Sequence, residues 1–239
     1  MINNFLTTNI YESRKKQSKL SSQMLYGDKF KILKKYRHHY KIKTEYDNYV
    51  GYIKIKKFQK YIRKQTHKVN ALKADLFSKP NLRFKTKKKI SFGSIVGVEN
   101  KKGLFSKFDS YWIKSSKLTP KNYSGKVFEK IKIFKNVKYL WGGMSYKGID
   151  CSALIQIFFK YNNIFCPRDS STQFKYFKSK KRSKGYSLIF WKGHVALSIS
   201  KNKLIHAYGP RKKVVIMEKA KTVKIIQKTA KLKVLNNIK

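Results

Sequence analysis

Residues 139–159 read YLWGGMSYKGIDCSALIQIFF, and the fold class turns on how this stretch divides. A Gly-rich approach leads to Cys151, one of two cysteines, and an apolar run follows from Leu154 to Phe159 and on to Tyr161. That run has the length and content of a buried helix. Asp150 is a natural N-cap for it, which puts Cys151 in the first turn. Unsatisfied N–H groups and the helix dipole favour a negative group there, and the thiolate is the nucleophilic form of cysteine. A cysteine packed as a small hydrophobe is the competing reading, and a base has to be found before the reactive one gains weight.

Residues 188–200, LIFWKGHVALSIS, read as strand, two-residue turn at Lys192-Gly193, strand. His194, Ala196 and Ser198 share one face of the second strand. A turn near Lys201-Asn202 leads to KLIHAYG (203–209), in which Leu204, His206 and Tyr208 share a face. With a loop at 200–202, position 196 pairs with 206 and 194 with 208. His194 and His206 are then diagonal neighbours, roughly 7 Å apart at Cβ. A lone strand histidine is more often structural. Two on one face, downstream of a helix-start cysteine, make a nucleophile–base–orienter order of Cys151, His194, His206.

Outward from this core, residues 21–60 and 68–118 alternate polar and apolar in short runs, with turn signals at Gly27-Asp28 and Asp47-Asn48. Such spacing suggests two small antiparallel barrels, joined around 58–65. A helix is expected over about 123–136, another short one after Arg168, and a basic tail at 229–239.

Composition sets bounds on the rest. The chain has 239 residues, 41% apolar and 15% aromatic, enough for a core in more than one module. No run of 18 apolar residues occurs, so no membrane span is expected. The first twenty residues lack a basic region followed by an apolar one, so no secretory signal is visible and a cytoplasmic location is expected; periplasmic or secreted placement by another route stays open. A net charge of +47 raises nucleic-acid binding. Arginine supplies only positions 14, 37, 63, 83, 168, 182 and 211, leaving 51 of the 58 basic residues as lysines spread over every segment. Sequence-specific readers lean on arginine, so no specific nucleic acid is expected and nonspecific binding to polyanions is. Cys151, Cys166, His194 and His206 match no zinc spacing, His38, His39 and His67 lie in lysine-rich stretches, and no metal or cofactor is expected.

YLWGGMSYKGIDCSALIQ, CPRDSSTQ (166–173), LIFWKGHVALSI and LIHAYG resemble, in order, the successive motifs of the NlpC family, papain-like cysteine peptidases that cleave peptides of the bacterial cell wall. The resemblance runs from about residue 124 to the C-terminal strands. It implies an α+β chain whose papain-like catalytic domain packs helices on an antiparallel sheet. Cys151 is then the nucleophile, His194 the general base and His206 the orienting third residue. One departure is Gly185-Tyr186-Ser187 ahead of the Leu188 strand, where family members usually have Gly-Asp.

The upstream pieces SSQMLYGDKFKIL (21–33) and YVGYIKIKKF (49–58) resemble the first bacterial SH3-like domain of a subgroup of these peptidases. The implied organisation is one SH3-like barrel at 17–62, a second at 66–120, the peptidase domain at 121–228 and the tail. The subgroup's implied activity is removal of an L-Ala-γ-D-Glu dipeptide from a murein peptide with a free N-terminus. Asp150, Ser152 and Ser170 then match substrate-contacting positions, Tyr139 and Trp141 line the cleft, and Tyr49 is the barrel's tyrosine. Asp28 is the nearest match to a barrel acid that meets the amine, with Gln23 standing where another acid is common. The plain reading of Asp150 is a helix cap, which it can be at the same time, and that of Tyr49 is ordinary strand packing. An endopeptidase acting on intact peptidoglycan, and a catalytically idle basic module that binds wall polymer or nucleic acid, remain open beside this reading.

Overall fold

The computed structural model describes residues 1–60, 64–179, 186–230 and 234–238. They divide into two compact units: 1–125 with 161–163, and 126–160 with 164–239. Gly185, part of the departure before the Leu188 strand, lies outside the described residues, as do parts of the expected 58–65 joint and of the tail.

In the first unit, β1 (Thr7–Tyr11), β2 (Leu20–Leu25), β3 (Phe30–Lys35), β4 (His39–Thr44) and β5 (Val50–Lys54) form an antiparallel sheet in the order β2-β1-β5-β4-β3. Its core is Ile10, Met24, Phe30, Ile42, Ile53 and Phe58. The sheet takes in Thr7–Tyr11, ahead of the expected start at 17. The reason is polar: Asn3 is fully buried, and its amide donates to the carbonyls of Phe5, Met24 and Leu25, which ties the N-terminal segment to β2.

Downstream, β6 (His67–Val69), β7 (Lys73–Phe77), β8 (Lys85–Ser91), β9 (Ile95–Val96), β10 (Asn100–Lys102), β11 (Phe105–Phe108), β12 (Tyr111–Lys114) and β13 (Leu118–Pro120) form two further sheets, β10-β11-β12-β7-β8 and β13-β6-β9. Tyr26 explains why both barrel-like segments cluster as one unit. It follows β2 but packs in the downstream core with Val69, Leu76, Ile90, Val96 and Phe108, and its hydroxyl bonds the Asp109 carboxylate.

The second unit opens differently from the expected helix over 123–136. Residues 126–137 form successive i→i−3 turns, with a 3₁₀ segment at Ile131–Phe134. The apolar residues Phe128, Ile131, Phe134 and Val137 recur every three positions, a spacing that eclipses side chains on a 3₁₀ face and drifts around an α-helix. Next come a two-stranded ribbon, β14 (Met144–Ser145) and β15 (Gly148–Ile149), then α1 (Cys151–Tyr161) and α2 (Ser170–Ser179). Leu154, Ile155, Ile157, Phe158 and Phe159 of α1 are all buried, as befits a helix apolar on every side.

The strands β16 (Ser187–Trp191), β17 (His194–Ser198), β18 (Lys203–Tyr208) and β19 (Lys213–Glu218) are followed by α3 (Lys219–Ala230) and β20 (Val234–Ile238). They form one antiparallel sheet ordered β19-β18-β17-β16-β20. One face carries Ile189, Trp191, Ala196, Leu204 and Tyr208, packed with Ile226 of α3. Thus α3 and β20 stand where the sequence suggests the end of the peptidase domain and a basic tail. The fold is α+β. No helix among the described residues is long and apolar enough to cross a membrane.

Lys68 gives the first unit a testable weak point. It is 2% exposed, and its ammonium donates to the carbonyls of Tyr123 (2.6 Å) and Tyr161. Burial, with Lys121 nearby, pulls its pKa down to about 8. Lys68→Met leaves both carbonyls without that donor, at about 1–3 kcal/mol each, seen as a lower urea midpoint. Because the folded pKa lies below the unfolded one, the unfolded chain binds more protons between pH 8 and 10.5, and this group's contribution rises with pH across that window. The stability gap between wild type and Lys68→Met therefore widens over it.

Candidate active site

Asp150 organises the head of α1. Its Oδ1 accepts from the Ala153 N–H at 2.8 Å, the N-cap bond read from the sequence, and from the Ser152 hydroxyl at 3.2 Å. Its Oδ2 accepts from the Gly142 N–H at 2.9 Å. Gly142 has φ 72°, a left-handed turn that costs glycine little. Arg168 closes the arrangement with a bidentate pair, Nη1 to Oδ1 at 3.0 Å and Nη2 to Oδ2 at 2.6 Å, and Nη1 also donates to Ser152 Oγ at 2.9 Å. Arg168 is 3% exposed and Asp150 6%. Gln173 of α2 adds a further tie, donating to the carbonyls of Ser152 (3.0 Å) and Pro167 (2.9 Å).

Cys151 is buried directly behind this cap, and its sulfur receives backbone hydrogen bonds from Val195 and Ser152. Val195 follows His194, so the start of β17 lies against the start of α1. The Lys192-Gly193 turn sets that position: Gly193 has φ 75°, and Trp191 pairs with His194 across two residues. Strand β18 then pairs Leu197 with Ile205 and Ser198 with Leu204, the register expected from a loop at 200–202. It brings His194 Nε2 to 2.8 Å from His206 Nδ1. Nδ1 of His194 takes no part in that bond.

Aromatic rings enclose the pair. Tyr208 stacks on His206 at 4.6 Å between centroids and 11° between planes, and Trp191 lies 5.5 Å from His194. Burial, reinforced by the Asp150 charge, pushes the Cys151 thiol up to about 12. Burial also pulls His194 down to about 4 and His206 to about 3. Each group alone is neutral near pH 7. A thiolate–imidazolium pair forms only by proton transfer within the dyad, where each charge offsets the other's desolvation.

The remaining expected residues divide. Tyr139 is half-buried, and burial, with the charges of Cys151 and Asp150, raises its phenol to about 12. Trp141 is 61% exposed, and Ser170 is the half-buried first residue of α2. Asp150 and Ser152 are both buried. Their oxygens are engaged with Arg168 and with each other, and those of Asp150 also with backbone N–H groups. Tyr49 belongs to the first unit, where it packs against the core of the β1–β5 sheet. Asp28, also there, accepts from the Leu25 N–H, and Gln23 donates to Asn9.

Arg168 escaped the sequence reading. Its signal was present: in a chain where lysine is the default base, a retained arginine points to a planar bidentate contact that lysine cannot make.

Residues 136–232 match the NlpC/P60 family, and residues 10–58 match the bacterial dipeptidyl-peptidase Sh3 domain. Over residues 136–232 the chain is thus similar to the NlpC/P60 family, a family of cysteine peptidases. Over 100 residues the chain is 33% identical to the γ-D-glutamyl-L-lysine dipeptidyl-peptidase of Bacillus subtilis (strain 168). That match takes in 38% of this chain and 34% of the relative, so it spans about a third of the relative's length. Among solved structures, an NlpC/P60 family protein from Bacillus cereus ATCC 10987 aligns with TM-score 0.77 at 16% identity, over 91% of this chain and 93% of its own. An NlpC/P60 endopeptidase from Photobacterium damselae subsp. piscicida aligns with TM-score 0.57 at 14% identity, over 97% of this chain and 69% of its own. These two likenesses speak for the fold alone.

Two outcomes are expected here. Arg168→Met strands a buried carboxylate and lowers unfolding stability by about 3–5 kcal/mol, read from urea denaturation; an unchanged midpoint would refute the role of the pair. Iodoacetamide labels Cys151 of the wild type near neutral pH. In His194→Ala the thiolate has to form unaided, so the labelling rate at pH 7 falls about tenfold or more and climbs steeply as the pH is raised.

Proposed function

We propose that the protein is a cysteine peptidase that hydrolyses γ-D-glutamyl-L-diamino acid bonds in murein peptides and releases L-Ala-γ-D-Glu from a free N-terminus. One observation carries the chemistry: the Cys151 sulfur takes a hydrogen bond from the backbone of Val195, next to His194, whose far nitrogen is held by His206 at 2.8 Å. The match of residues 10–58 to a dipeptidyl-peptidase Sh3 domain and the 33% identity to a γ-D-glutamyl-L-lysine dipeptidyl-peptidase support the substrate class.

In this reading His194 Nδ1 accepts the Cys151 proton as the sulfur attacks the γ-glutamyl carbonyl. Backbone N–H groups of the first turn of α1 meet the developing oxyanion. The His194 imidazolium then protonates the leaving amine of the diamino acid, which leaves a thioester on Cys151. Water, deprotonated by His194, hydrolyses the thioester and restores the thiol. His206 keeps the His194 ring in line throughout. Tyr139 and Trp141 flank the peptide. Ser170, at the start of α2, contacts it. Asp150 and Ser152 hold the helix start in place and also stand where the resemblance puts contacts to the substrate amine.

Mass spectrometry of products from L-Ala-γ-D-Glu-diamino acid peptides tests this reading. Wild type releases the dipeptide, and Cys151→Ala loses roughly a thousandfold or more of the rate. N-acetylation of the substrate abolishes cleavage by the wild type. Unaffected cleavage of the acetylated peptide would move the activity to the endopeptidase class, and an active Cys151→Ala would sink the mechanism.

A further inference from the structure

Two neutral histidines that share one hydrogen bond have two ways to arrange their protons. His194 Nε2–H can donate to His206 Nδ1, which leaves His194 Nδ1 unprotonated. In the reverse arrangement His206 Nδ1–H donates to His194 Nε2, the His194 proton sits on Nδ1, and the ring cannot take a proton from the thiol there. The 2.8 Å separation is the same for both. Which nitrogen carries the proton is set by what the other nitrogen meets.

The other nitrogen of His206, Nε2, lies 3.4 Å from Sδ of Met217. The register puts it there: β19 pairs Val215 with His206 and Met217 with Leu204, so Met217 is diagonal to His206 on the same face of the sheet. A thioether sulfur accepts weakly and has no proton to donate. It therefore suits His206 with its proton on Nε2, and it sets lone pair against lone pair in the reverse arrangement. Burial and the neighbouring His194 are what lower the His206 pKa, and among the described residues no carboxylate is a cause of the shift. The stacked Tyr208 ring holds the imidazole plane against rotation.

We propose that Met217 is a positioning residue, whose sulfur accepts the Nε2 proton of His206 and so keeps Nδ1 of His194 unprotonated for the Cys151 thiol. The proposal rests on the catalytic reading above for its consequence, and on the geometry of the two rings for its content. Its sequence context hid it: Met217 lies in VVIME (214–218), where a methionine reads as core filler.

The test is a pair of variants of the full chain, read by long-range ¹H–¹⁵N correlation of the imidazole nitrogens near neutral pH, where both rings are neutral. Met217→Leu keeps the apolar bulk and removes the acceptor, and Met217→Glu restores an acceptor-only group. In the wild type the two Nε2 atoms are expected to carry the protons and the two Nδ1 atoms to be unprotonated. Met217→Leu is expected to move His206 and His194 toward a mixture of tautomers and to lower kcat on the wall peptide roughly 3- to 10-fold, with KM little changed. Met217→Glu is expected to return the wild-type tautomers.

A wild type with the proton on His206 Nδ1 would overturn the proposal, and so would a Met217→Leu variant whose tautomers do not move. If Met217→Leu fails to fold, the wild-type and Met217→Glu spectra still decide. The predicted nitrogen pattern in a protein that cleaves no peptide would uphold the Met217 assignment and defeat the peptidase reading alone.

Discussion

The ion pair between Arg168 and Asp150 is the constraint on which the catalytic unit depends. One carboxylate caps α1, holds the Gly142 turn that carries Tyr139 and Trp141, and binds the loop that leads into α2. Three segments distant in sequence thus meet at one residue, immediately before the nucleophile. A buried carboxylate without its guanidinium would be costly, and a guanidinium without its carboxylate equally so. The pair earns its place by specificity of position more than by net stability. It is made from one of eleven acids and one of seven arginines in a chain dominated by lysine.

Burial has a second effect on the same site. It disfavours the charged forms of Cys151, His194 and His206 at once, so the proposed reaction starts with a proton transfer from thiol to imidazole. Backbone donors at the sulfur and aromatic rings around the imidazoles replace the polar surroundings that water would provide. In such a setting, hydrogen-bond direction matters more than net charge. The excess of positive charge over the chain as a whole therefore says little about the reaction.

Much of this was legible beforehand, and the reasons are local. The helix cap at Asp150, the two-residue turn at Gly193 and the 200–202 loop are short-range features, and together they dictate the register that joins His194 to His206. The three-residue spacing of Phe128, Ile131, Phe134 and Val137 was visible too, but apolar content there reads as an α-helix unless the period is counted. Arg168 was harder, because its partner is eighteen residues away and a single charged side chain shows no periodicity. Asp150 was legible as the helix cap and, through the resemblance, as a contact to substrate, but its partner Arg168 was not. The N-terminal segment and α3 were missed for a different reason: both are polar or lysine-rich in sequence, and each is anchored by a few buried groups, Asn3 in the one and Ile226 in the other.

Strand β16 presents Leu188, Ile189, Phe190 and Trp191 in unbroken succession, all buried, with β17 hydrogen-bonded along one side. Its other side is occupied by β20 from near the C-terminus. An apolar strand of that kind, left as an open edge, would template the addition of strands from other chains. The last strand thus has a task unrelated to peptides. By completing the backbone pairing of β16, it removes an open apolar edge from that side of the strand.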